Sequence, residues 1–171
     1  MERVPQQAAR ALRDLLEHIR LLDARVREYE HSIEAHAREN QAAQLALKRQ
    51  GIGPITASAI VASVGDLHEF KNGRQFSAWL GLVPRQHSTG GKQRLGHITG
   101  RGDPYLRTLL VMGARSVLQR ALAKDDSLSR WALPVRARRG YHRACVAVAA
   151  KNARVVWAML SQQHAGETAP R

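Results

Sequence analysis

Cysteine is nearly absent. Cys145 is the only one in 171 residues, which excludes an internal disulfide framework and fits a reducing, cytoplasmic setting. Long apolar runs are missing as well. None approaches the roughly 20 residues that span a bilayer, and Met1-Glu2-Arg3-Val4-Pro5 lacks the apolar stretch of a secretory signal. No membrane partner is therefore expected. The eight histidines and one cysteine follow no recurring metal-ligand spacing, so no zinc or other cofactor is expected in this chain. Acidic residues are scarce: 14 stand against 27 Lys and Arg, for a net charge of +13 and a pI near 11.3. A surplus of that size costs self-repulsion unless a polyanion neutralises it, which argues against an ordinary metabolic enzyme. At 44% apolar residues the chain can still build a core.

The charge is unevenly placed. Residues 1–84 hold 11 basic and 10 acidic side chains, whereas residues 85–171 hold 16 and 4. The polyanion-facing surface is expected in the second half.

From Gln6 to Arg49 there is neither glycine nor proline, which predicts one long helix. Leu12, Ile19, Val26, Ile33 and Leu47 share one heptad register, with Asn40 in the place between the last two. Leu15, Leu22, Tyr29, His36 and Ala43 follow three residues behind. β-Branched residues at the first position and leucine at the second suit a two-stranded coiled coil, and a polar Asn40 in the seam would fix its register. The alternative is a helix packed once against its own domain.

Leu47-Lys48-Arg49-Gln50-Gly51-Ile52-Gly53-Pro54 then reads as a tight turn between helices. Gly51 and Gly53 permit the turn, Ile52 plugs the gap, and Pro54 suits the first helical position. This pattern looks like a helix-hairpin-helix, whose backbone N–H groups can take a phosphate oxygen, helped by Lys48 and Arg49. The alternative is a helical hairpin that merely needs glycine. Gly65 is expected as a left-handed cap, and Phe76, Trp79 and Leu80 as core on a short helix.

Pro84–Arg107 is the densest polar segment, with five glycines, five basic residues and one acid. Gly90-Gly91 would let the backbone approach a phosphate, while Arg85, Lys92, Arg94, Arg101 and Arg107 supply positive potential. A hydroxyl here, Ser88 or its neighbour Thr89, is a candidate nucleophile for phosphodiester transfer. The simpler reading is a turn hydrogen-bonded by Ser88 and Thr89.

Gly51-Ile52-Gly53-Pro54, Phe76-Ser77-Ala78-Trp79-Leu80-Gly81-Leu82-Val83-Pro84 and His87-Ser88-Thr89-Gly90-Gly91-Lys92-Gln93-Arg94-Leu95-Gly96, in that order and spacing, resemble the C-terminal half of a family. It is the DEDD transposases of bacterial insertion sequences (the IS-one-ten group), recombinases guided by a bridge RNA. The resemblance covers roughly residues 45–160, and the heptad helix looks like the family's coiled-coil connector. It implies DNA strand exchange through a covalent serine–DNA intermediate, with Ser88 as nucleophile. It also implies DNA, a guide RNA and a second copy of the chain as partners. The family's RuvC-like domain, with its four metal-binding acids, has no counterpart here. Divalent metal is expected only in that domain, and this chain alone is expected to be inactive, a truncated reading frame or an excised half.

Asp103 reads as an N-cap before Pro104, opening a helix through about Ala123 with Leu106, Leu109, Leu110, Met112 and Val117 inward. A short helix over 125–133 precedes a basic loop, Pro134–Gly140, whose Arg136, Arg138 and Arg139 could track a phosphate backbone. Tyr141–Gln163 is the last helix, burying Ala144, Val148, Val155, Trp157 and Leu160. The expected fold is all-α: a coiled-coil helix (1–48), a compact helical domain with the hairpin and the Gly-rich basic loop (49–163), and a flexible tail (164–171). Two other functions compete: a non-catalytic, structure-specific nucleic-acid-binding dimer, and an RNA-binding or ribosome-associated basic protein.

Overall fold

A computed structural model describes residues 5–65, 69–86 and 95–167, the last five as backbone only. It is all-α apart from one short ribbon. The elements run α1 (Gln6–Glu39), α2 (Gln41–Leu47), α3 (Pro54–Ser63), α4 (Gly73–Trp79), β1 (Pro84–Gln86), β2 (Leu95–Ile98), α5 (Pro104–Arg120), a 3₁₀ turn (Ala121–Ala123), α6 (Ser127–Arg139) and α7 (Tyr141–Glu167). The last helix is the hub. It packs on α2, α4, α5 and α6, burying Ala144, Val148, Val156 and Leu160 against Phe76, Leu80, Leu106, Leu110 and Leu118. Tyr141–Gln162 is long and apolar enough to cross a membrane by composition, but nearly half of that window is buried within the fold. Its apolar character serves the core.

Two helices replace the single one expected over Gln6–Arg49. Asn40 turns extended (φ −85°, ψ 119°), and its side chain accepts a hydrogen bond from the N–H of Ala43 at 3.0 Å. Asparagine is favoured where its short side chain can cap the backbone, and here that preference wins over its place in the heptad register. The break lets α2 fold back onto α3 and α7, burying Ala43 and Ala46. The end of α1 rests on α3: Ala37 is buried, and the Ser58 hydroxyl bonds to His36 Nδ1 at 3.0 Å and to the Ile33 carbonyl at 3.3 Å. Upstream, Leu12, Leu15, Ile19, Leu22, Val26 and Tyr29 stand 47–69% exposed.

Other details also depart from expectation. Helix α3 ends at an extended Val64 (φ −103°), and Gly65 is not left-handed. Pro134 does not end α6, which continues to Arg139. The proline sits on the exposed side, while Leu128, Ser129 and Ala132 hold the inward face, so packing outweighs the lost backbone bond. The expected basic loop is therefore the last turn of a helix. Met112 points to solvent at 54% exposure. Leu109, Val117, Val155 and Trp157 are half-buried, and the fully buried valines of α7 are Val148, as expected, and Val156 in place of Val155. Trp79 remains 38% exposed although it stacks on Phe76 at 6.0 Å. Asp103 caps α5 as expected, accepting from the N–H groups of Tyr105 (2.8 Å) and Leu106 (3.1 Å).

Candidate nucleic-acid interface

The turn between α2 and α3 has an inner and an outer side. On the inner side Gly51 adopts φ +84°, and a Cβ there would lie 2.8 Å from Val117 Cγ2 and 2.9 Å from the carbonyl of Gly113. The turn is thus seated directly on the backbone of α5. Arg49 also turns inward: its Nε donates to Asn152 Oδ1 at 2.7 Å, while Asn152 Nδ2 donates to the Gln50 carbonyl at 2.9 Å. Burial pushes the Arg49 guanidinium below its ordinary pKa, and the Asp126 carboxylate works against that shift. Ile52 is buried as a plug. On the outer side Lys48 and Gly53 are exposed, and Gly53 opens α3 with no side-chain cap. Of the four turn residues marked by the sequence, Lys48 and Gly53 face solvent and Arg49 and Gly51 face the protein.

The flanks of the next segment, Pro84–Gln86 and Leu95–Ile98, form a ribbon. Strands β1 and β2 run antiparallel, pairing Pro84 with Ile98 and Gln86 with Leu95 across an irregularity. Thr99 N–H donates to the Val83 carbonyl at 2.8 Å, continuing the pairing beyond the strands. Arg85 stays on the surface, with Nη2 3.2 Å from the Thr99 carbonyl. Arg107 Nη1 donates to the carbonyls of Leu80 (3.1 Å) and Arg101 (3.2 Å), bracing the segment after β2 against the end of α4. Arg101 itself is exposed. Ser88, Gly90, Gly91, Lys92 and Arg94, with Thr89 between them, lie outside the described residues.

Beside the ribbon lies an open groove of about 930 Å³. Its floor is apolar, made by Leu82, Val83, Leu95 and Ile98 on one side and by Trp131, Val146, Ala147 and Ala150 on the other. Arg74, Arg139, Arg143, Arg154, His97 and His142 also line it, and no Asp or Glu does among the described residues. Helix α7 supplies Arg143, Val146, Ala147, Ala150 and Arg154 at spacings that place them along one face. Gly73 lets α4 approach closely, since a Cβ there would lie 2.9 Å from the carbonyl of Arg154. That contact brings Arg74 and Arg154 to the same end of the groove. Lys151 Nζ sits 4.3 Å from the centre of the Trp131 ring.

Arg136, Arg138 and Arg139 part company here. Arg139 lines the groove, Arg136 lies 5.4 Å over the Tyr141 ring, and Arg138 is exposed elsewhere on the turn. The sequence reading missed Arg74, Arg143, His97 and His142. The signal for Arg143 was available, since Arg143, Ala147, Ala150 and Arg154 stand at helical spacing within α7. Nothing local marks Arg74, which joins the others only through the α4–α7 contact.

The sequence profile described as "Transposase IS116/IS110/IS902 family" matches residues 43–129. A "Probable family 20 transposase" of Pseudomonas aeruginosa is 51% identical over 94% of this chain and 47% of its own length. The "Transposase for insertion sequence element IS1111A" of Coxiella burnetii is 46% identical over 82% of this chain and 39% of its own. The corresponding protein of element IS1328 from Yersinia enterocolitica is 37% identical over 93% and 48%. The chain spans less than half the length of these relatives.

Proposed function

The chain belongs to the IS116/IS110/IS902 family of insertion-sequence transposases, and from that premise we propose that it is the DNA-gripping, serine-bearing part of a strand-exchange enzyme. The observation that carries this reading is the convergence of four arginines and two histidines, with no carboxylate among the described residues, along the groove beside the β1–β2 ribbon. Those strands flank residues 87–94, which hold Ser88.

In this reading the Ser88 hydroxyl loses its proton and its oxygen bonds to a DNA phosphorus. A sugar hydroxyl leaves with a proton, and the phosphodiester is exchanged for a phosphoserine ester of similar energy. Attack on that ester by the hydroxyl of another strand reverses the step and rejoins DNA. Guanidinium groups favour the reaction because charge accumulates on the equatorial oxygens at the transition state. Lys48 and the open N-terminus of α3 hold a neighbouring phosphate, and a guide RNA is the second nucleic acid of the complex. Divalent metal belongs to a separate acidic domain in this account. The exposed seam of α1 joins two copies as a coiled coil.

The test mixes this chain with a separately produced acidic half and cognate DNA and RNA, then resolves the products on a denaturing gel. Wild type is expected to leave a covalent protein–DNA band and Ser88→Ala none. Equal adduct from both proteins would refute the nucleophile.

A further inference from the structure

We infer that the groove between the ribbon, α4, α6 and α7 takes unpaired nucleotides, with bases on its apolar floor and phosphates at its arginine rim. The inference rests on the nucleic-acid reading above and specifies which form of nucleic acid this surface holds.

Two observations point to a single strand over a duplex. The floor around Trp131, Ala147 and Ala150 is apolar. A duplex turns sugars and phosphates outward and offers no apolar face to cover such a floor, whereas an unpaired base has two. The volume, about 930 Å³, is at the upper end of the range for small-molecule sites, room for a few nucleotides rather than one ligand. Cations at the rim and stacking surfaces inside are the combination by which proteins hold single strands without reading sequence. A protein segment could also cover apolar floor, but a rim of Arg139, Arg143, Arg154 and Arg74, without one acid among the described lining residues, complements a polyanion. Strand exchange requires unpaired nucleotides at some stage, and DNA or RNA could supply them.

The experiment measures binding of the full chain to labelled twelve-nucleotide oligo(dT), to oligo(rU) and to a twelve-base-pair duplex. Wild type is compared with Ala147→Glu, which puts a charge on the floor, and with Arg139→Glu/Arg143→Glu at the exposed rim. Circular dichroism melts check the fold. Each variant is expected to weaken at least one single strand by about tenfold or more, while Ala147→Glu changes duplex affinity by less than about threefold. The strand more affected identifies DNA or RNA as the source. A 4-thiothymidine or 4-thiouridine strand, photo-crosslinked to wild type, is expected to map to α7 between Arg143 and Arg154 or to β2, and this arm decides if a variant fails to fold. Unchanged single-strand affinity with crosslinks elsewhere would overturn the groove inference and move the nucleic-acid contact to another surface, while leaving intact that the chain binds nucleic acid. So would groove variants that alter only self-association, because the occupant is then protein. Failure of wild type to bind any of the three probes would overturn both.

Discussion

At the scale of single residues, backbone contacts and polar caps hold the candidate interface in shape. Gly113 meets the carbonyl of Gly51 so closely that no side chain fits between α5 and the α2–α3 turn. Gly113→Ala is expected to cost about 1–3 kcal/mol through overpacking, read as a lower midpoint in chemical denaturation. Asp126 caps α6, accepting from Leu128 N–H and Ser129 N–H at 2.9 Å and from the Ser129 hydroxyl at 2.8 Å. Those bonds, those of Ser129 foremost, hold its carboxyl below the ordinary carboxylate range. A depressed pKa in the folded state means stability that is complete above the unfolded value and lost as pH falls through the folded one. Asp126→Ala should therefore lower Tm at neutral pH, and the gap from wild type should shrink as the pH is taken down through the acidic range. A gap independent of pH would show that the carboxylate contributes nothing as an ion.

Among the elements, α1 is the one that the fold leaves incomplete. Its last turns pack on α3, but the six seam residues upstream stay largely exposed, and an isolated helix gains little stability without a partner. Ile19→Lys/Leu22→Lys should convert a dimer to a monomer in light scattering while leaving the melting of the compact part unchanged. A wild-type monomer at micromolar concentration would remove the coiled coil from the account. The elements also show where sequence was legible. Asp103-Pro104 announced a helix start because cap and first position stand side by side, and no competing role exists for either. Asn40 was ambiguous: one residue type serves both a coiled-coil seam and an N-cap, and only the packing of Ala43 and Ala46 decides between them. Pro134 misled for a related reason, since a proline on the solvent side of a helix with a buried opposite face is tolerated. The ribbon was illegible because its three- and four-residue strands carry no alternating pattern and exist through their pairing.

For the whole molecule, charge is the organising quantity. The basic second half was readable by counting, but the groove was not. Its lining is gathered from Arg74 to Arg154 across five elements, and the α4–α7 approach at Gly73 has no sequence signature. Charge placement also separates the arginines by role: Arg49 and Arg107 are occupied by Asn152 and by backbone carbonyls, whereas Arg139 and Arg143 remain on the groove surface. Arg107→Lys should therefore lower Tm, because the lysine side chain is one bond shorter and its ammonium falls short of the Nη1 position that donates to both carbonyls, and should alter nucleic-acid affinity less than Arg139→Glu/Arg143→Glu does.

The most direct test is the affinity of the intact chain for nucleic acid as a function of salt. Each phosphate neutralised adds a slope of roughly −0.7 for single strands or −0.9 for duplex in log K against log salt. A surface built from the groove arginines predicts a slope of about −3 or steeper, made shallower by roughly one to two units in Arg139→Glu/Arg143→Glu. A flat salt dependence, or the same slope in wild type and variant, would contradict it.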